Sequence, residues 1–224
     1  MKRVHAIVLS TLLPLVPPGH ALGQEIGLGL RGGVSVTDFK SELGEFGNKV
    51  GISFGVFAPV SFGAWFAILP ELQFINKGSE NEMPDSGEQA SLESTDVDVQ
   101  IGYMSLLVPA ALTIPLAEKV KPRLYVGPSL ALELTCNVAF RVGDIVSQAG
   151  CGRTIGDETA FVRTTTFDFG LVFGGGVDVV AGPGAFTGDV RYTQGLTNIN
   201  SEGEPNVKNR ALEFLIGYTI TLTE

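Results

Sequence analysis

The chain has 224 residues, 44% of them hydrophobic, and a formal net charge of −9. That length allows one or two domains. The acidic balance excludes a nucleic-acid binder that works by neutralising phosphates.

The chain opens on a short basic start, Met1-Lys2-Arg3, followed by an apolar run from Val4 to Val16. That run has the length of a signal-peptide core and is too short for a membrane helix. Ala21 and Gly23 supply small residues at the −3 and −1 positions of a cleavage site. Residues 1–23 therefore read as a signal peptide and residues 24–224 as one exported domain, with the mature chain starting at Gln24. No cysteine follows the cleavage site, so a lipoprotein anchor is not expected. Lys2 and Arg3 leave with the leader, which takes the formal net charge from −9 to −11. His5 and His20 leave too, and the mature chain has no histidine.

Beyond the leader the recurring pattern has period two, the mark of strands with unlike faces. Eight such strands are predicted, at roughly 26–36, 50–60, 64–76, 97–114, 122–142, 159–180, 185–197 and 209–223. In the last, Leu212, Phe214, Ile216, Tyr218, Ile220 and Leu222 oppose Ala211, Glu213, Leu215, Gly217 and three threonines. In the seventh, Phe186, Val190, Tyr192 and Leu196 oppose Thr187, Asp189, Arg191 and Thr193. The connections 37–49, 77–96, 143–158 and 198–208 are long, whereas 61–63, 115–121 and 181–184 are short. An even number of strands with short turns at one end and long loops at the other is the pattern of an outer-membrane barrel. Pro59, Pro70, Pro109 and Pro128 fall in or near strands, where each lacks a ladder donor. Bulges or strand ends are expected there.

Which face meets lipid follows from the charges. Lys40, Lys49, Lys77, Lys119, Lys121 and Lys208 all fall in the predicted loops or turns, whereas a soluble sheet scatters lysine over its wet face. The apolar face is nearly free of charge, as a lipid-facing surface must be when a charge at the bilayer midplane costs about 2–4 kcal/mol. The expected fold is all-β: an eight-stranded antiparallel up-and-down transmembrane β-barrel with its polar face inward.

Five segments carry a resemblance. "LPELQFINKG" (69–78), "KPRLYVGPSLALEL" (121–134), "FDFGLVFGGGVDV" (167–179), "DVRYTQGLTNI" (189–199) and "NRALEFLIGYTI" (209–220) resemble the outer-membrane β-barrel domain proteins loosely called the porin family. The likeness runs in order over nearly the whole mature chain. It implies an eight-stranded barrel in the outer membrane of a Gram-negative bacterium. It implies no reaction and, for most members, no known substrate.

The candidate sites are few. "GGG" at 174–176 lacks the Lys-Ser/Thr of a phosphate loop and precedes no helix. Gly170, Gly174 and Gly176 are expected to leave one side of a narrow barrel unfilled, or to let the strand bend. Parity places Arg31, Glu71, Glu133, Asp168, Asp178, Asp189, Arg191 and Glu213 in the lumen. There they should form a charge network, since buried charges must pair. Strand 8 should lie between strands 1 and 7, so Glu213 could bridge to Arg31 and Arg191. Such a network is either a salt-bridged, water-filled plug or, with six carboxylates against two arginines, a narrow cation path. Cys136 and Cys151 point to a disulfide ahead of a metal or redox pair in an exported protein. The stretch 77–96 carries Glu80, Glu82, Asp85, Glu88, Glu93 and Asp96 without EF-hand spacing, and reads as a solvated extracellular loop. No cofactor or metal is expected. Without a histidine base no enzymatic role is expected either. The expected partners are outer-membrane lipid, lipopolysaccharide and the barrel-assembly machinery during insertion. The sequence leaves any extracellular partner open.

Overall fold

Alternation of large apolar side chains with small or polar ones cannot bury one face of a single sheet edge to edge. Rolling the sheet shut solves the problem, because one face then turns inward everywhere and no edge remains. A computed structural model describes residues 24–41, 44–45, 47–83, 95–114, 117–142, 145–151, 154–155, 158–159, 164–200 and 205–223. Its wall consists of eight strands. β1 is Gln24–Ser41, β2 is Gly47–Phe57 continued by Val60–Phe62, and β3 is Phe66–Ile68 continued by Glu71–Met83. β4 is Thr95–Leu107 continued by Ala110–Thr113, and β5 is Val120–Val142. β6 is Phe167–Ala181, β7 is Gly184–Gly195 and β8 is Val207–Thr223. Every neighbour pairs antiparallel with the next, and β8 pairs with β1, which closes the ring. Among the described residues there is no helix.

The lipid-facing row is the one expected. On β8, Phe214, Ile216, Ile220 and Leu222 are exposed, Ile216 at 77%. Phe167, Phe169, Leu171 and Phe173 point outward from β6, and Phe186 and Val190 from β7. The run from Leu212 to Leu222 rises about 33 Å along its strand, which a tilt of about 40° turns into about 25 Å of height. That matches the apolar band of an outer-membrane barrel. Trp65, Phe62 and Phe66 stand exposed at the short-turn end, where an aromatic girdle belongs. Gly63 and Gly182 turn the chain there at φ of 72° and 62°, a conformation that a side chain resists.

Three features differ from the sequence expectation. The strands run further than their apolar belts, so much of the supposed loops 37–49, 77–96 and 143–158 is strand. β1 and the residues after it are still in register at Lys40 opposite Glu45, and β3 pairs with β4 up to Met83 opposite Thr95. Consequently Lys40, Lys49, Lys77, Lys121 and Lys208 stand on strands, and only Lys119 of the six lies in a turn. Glu80 and Glu82 likewise stand on β3 and Asp96 on β4, while Asp85, Glu88 and Glu93 lie outside the described residues, as does the leader 1–23. Strand 6 begins at Phe167 and not near 159, because residues 158–159 pair with 154–155 in a separate hairpin.

The prolines divide. β2, β3 and β4 each break at Pro59, Pro70 and Pro109, whereas Pro128 stays inside the continuous β5. Each proline carbonyl still accepts from the next strand: Gly27 N–H to Pro59, Ala58 to Pro70, Leu69 to Pro109 and Val108 to Pro128, at 2.9 to 3.1 Å. A line of residues without donors therefore crosses half the wall, and it holds together because the acceptor side of every proline is used.

Candidate functional site

The lumen is narrow, as eight strands require, and it is filled in layers. At the short-turn end it opens in a mouth of about 580 Å³ that includes Glu25, Ser61, Lys121, Asp178 and Thr219.

Above the mouth lies a charged layer. Arg191 on β7 donates through Nε to Glu213 on β8 at 2.7 Å and through Nη1 to Glu71 on β3 at 2.6 Å. β3 and β7 are four places apart in a ring of eight, so this guanidinium spans the lumen. Arg31 on β1 reaches Glu71 through Nε at 3.0 Å and Asp189 on β7 through Nη1 at 3.3 Å. Its guanidinium also lies 4.7 Å from the Phe57 ring. Arg123 on β5 donates to both oxygens of Asp189 at 2.8 Å and pairs with Asp178 on β6. Gln73 donates to Glu213. Arg191 and Glu213 are each 1% exposed. These charges stay ionised in the interior because each guanidinium and carboxylate has an oppositely charged partner, although the Arg123 Nε donates to none.

A second layer lies further out. Lys77 on β3 stands 3.6 Å from Asp168 on β6, with its Nζ 5.0 Å from the centre of the Tyr103 ring. Asn209 on β8 donates to the same Asp168 carboxylate at 2.7 Å and to the Tyr103 hydroxyl at 3.3 Å. Between the two layers is a cavity of about 10 Å³ bordered by Gln73, Lys77, Asp168 and Glu213, room for one water molecule.

From the second layer outward the filling is largely apolar, with Thr37 and Ser79 buried beside it. Phe39, Ile75, Val99, Ile101, Val138 and Ile199 form one buried cluster, with Ile101 at 0% exposure. Cys136 and Cys151 pack against it and are joined in a disulfide with Cα atoms 5.4 Å apart. The bond ties the outer part of β5 to the segment above it, over a sequence separation of 15.

All eight residues that parity assigned to the lumen stand on its inner side, but they do not form one network. Arg31, Glu71, Asp178, Asp189, Arg191 and Glu213 share the charged layer; Asp168 belongs to the second layer. Glu133, on β5 opposite Tyr103, joins no ion pair among the described residues. Glu213 bridges to Arg191 and not to Arg31, which turns instead to Glu71 and Asp189. Arg123 and Lys77 were missed. Both have inward parity, Arg123 with Tyr125 and Glu133 on β5, Lys77 with Glu71, Gln73 and Ile75 on β3. Placing a strand end at 76 cut Lys77 off, and Arg123, the second residue of the predicted strand 122–142, was left out of the lumen set. With them, among the described residues, the six predicted carboxylates face four cations and not two, apart from Glu25 and Lys121 at the mouth. Between the two layers, the cavity has room for one water molecule.

The glycine run has a definite role. Gly174 lies opposite Arg191 in register, and Gly176 opposite Asp189. A Cβ on Gly174 would come within 2.7 Å of the Arg191 Cβ, and one on Gly176 within 2.6 Å of the Gly188 carbonyl and closer still to the Asp189 carboxylate. The thin wall of β6 is thus where the charged side chains of β7 lie, and the space is occupied.

A family model described as "Outer membrane protein beta-barrel domain" matches residues 20–201. No curated protein matches the sequence. Among solved structures the chain is similar to Ail, the attachment invasion locus protein of Yersinia pestis, with 14% identity over 88% of this chain and 99% of that one and a TM-score of 0.44. It is also similar to Neisserial surface protein A, with 16% identity over 87% and 97% and a TM-score of 0.45. OprG from Pseudomonas aeruginosa gives 12% identity over 91% and 99% and a TM-score of 0.41.

Proposed function

The chain belongs to the outer membrane protein β-barrel domain family, and from that premise we propose that it is a sealed, non-catalytic outer-membrane barrel with a structural or surface-interaction role. One observation carries the reading: Arg191 on β7 is bonded to Glu71 across the full width of the lumen and to Glu213 beside it, all three buried. An ion crossing this layer must part charges whose separation in a dry interior costs several kcal/mol. Further out the lining is largely apolar and offers few groups to replace an ion's hydration shell. The contact surface is then the long-loop end, where strands rise beyond the lipid belt. Lipid, lipopolysaccharide and the assembly machinery are the partners in the membrane.

A narrow passive channel is the alternative, and the polar mouth at the short-turn end favours it. Ion flux separates the two. Refolded protein in dye-loaded vesicles is expected to leave a potassium gradient intact over minutes. Dissipation of the gradient in proportion to the protein added rejects the sealed barrel.

A further inference from the structure

Beyond the lipid belt the wall is uneven. β3 runs to Met83, β4 begins at Thr95 and β5 runs to Val142, so these three stand together as a sheet outside the membrane. A further strand, Ile145–Gly150, folds back along β5 and widens that sheet, from Ile145 opposite Val142 to Gly150 opposite Asn137. β6 meets β5 only from Leu132 inward and does not reach it. Among the described residues no strand occupies its other side.

The direction of the unused groups follows from one bond. Cys151 N–H donates to the Cys136 carbonyl at 3.1 Å, so this pair is a hydrogen-bonded one. Such pairs alternate along an antiparallel ladder with pairs whose groups point away. Ile145, Ser147 and Ala149 therefore turn N–H and C=O toward β5, and Val146, Gln148 and Gly150 turn theirs to the open side. Natural edges are blunted by charge, proline or a bulge. "IVSQAG" has no charged residue and no proline, and its register with β5 is unbroken. Val146 and Gln148 are exposed. The disulfide holds the end of the strand against β5, so the extended form exists before anything binds and little ordering cost remains.

We propose that the open side of Ile145–Gly150 is a docking edge for an extended, uncharged segment of a separate polypeptide outside the membrane, taken up as one more strand. The proposal rests on the surface-interaction reading and gives it a place and a partner class. A second copy of the chain does not fit. Two barrels in one membrane stand in the same sense, so their edges run parallel, whereas two-fold pairing of identical edges is antiparallel.

The probe is a dye-labelled, end-blocked synthetic peptide NVAFQV, a copy of residues 137–142 with Arg141 replaced by Gln so that it carries no charge; the native segment already pairs with this strand from the β5 side. Fluorescence anisotropy on the refolded, disulfide-intact barrel is expected to show saturable binding. N-methylation of alternate residues should abolish binding in one parity and spare it in the other, because only alternate amides face the edge. Gln148→Pro removes an outward N–H and leaves the β5 ladder intact. It should weaken binding roughly five- to ten-fold, the worth of one or two net hydrogen bonds. In the free barrel the amides of Val146, Gln148 and Gly150 should exchange faster than those of Ile145, Ser147 and Ala149. Protection of all six amides, equal binding of the two N-methylated sets, unchanged binding to Gln148→Pro, or no binding at millimolar peptide each overturns the proposal. None of these touches the sealed-barrel reading, which stands or falls on ion flux.

Discussion

The inner half of the lumen is held by ion pairs beside a small apolar cluster of Leu69, Leu107, Tyr125 and Val172, and the outer half mainly by apolar packing. Near the short-turn end the interior is held by Arg31, Glu71, Arg123, Asp189, Arg191 and Glu213, in ion pairs that join β1, β3, β5, β7 and β8. Toward the loops it is held by Phe39, Ile75, Ile101, Val138 and Ile199, with a disulfide beside them. A barrel interior thus need not be polar because its exterior is apolar. The two fillings fail differently. An ion-pair layer is costly to break singly and cheap to replace whole. An apolar layer loses energy in proportion to the volume removed.

The sharpest way to break this contrast is at Arg191. Arg191→Ala leaves Glu71 and Glu213 without their shared partner and should cost about 3–5 kcal/mol, read as a lower urea midpoint of the refolded barrel in detergent. The triple change Glu71→Gln, Arg191→Met, Glu213→Gln should recover most of that loss, and no recovery would mean that the layer is not a closed set of charges. Ile101→Ala in the outer half should cost about 2–5 kcal/mol through the cavity it leaves. There, Ile101→Val should give an intermediate loss, a gradation that the charged layer does not offer. Reducing the disulfide should cost about 3 kcal/mol in the chain-entropy model. The effect should be local: faster amide exchange at Val138 and Ser147, none at Arg31 or Glu213. Gly176→Ala should cost about 1–3 kcal/mol for overpacking, because its Cβ would meet the Gly188 carbonyl at 2.6 Å as well as the Asp189 carboxylate. An unchanged urea midpoint would show that the wall of β6 gives way there.

The halves also differ in how well the sequence discloses them. Period two placed Arg31, Glu71, Asp189, Arg191 and Glu213 inward, because parity carries across a strand once one residue is assigned. It could not pair them, since partners such as Glu71 and Arg191 are 120 residues apart in sequence and meet only when the ring closes. The apolar outer filling was illegible for another reason. Ile75, Ile101 and Val138 look like lipid-facing residues, and an apolar residue on the inner face of a barrel breaks the alternation that reveals strands. Lys77 and Arg123 were lost at strand ends, where the lipid belt stops but the ladder continues.

If the two layers close the lumen, single-channel recording on the refolded protein in a planar bilayer at high salt will find a silent wild type, with current steps only when both layers are opened together, in Arg191→Ala with Ile101→Ala. Steady ohmic steps from the wild-type barrel would mean that the lumen is open.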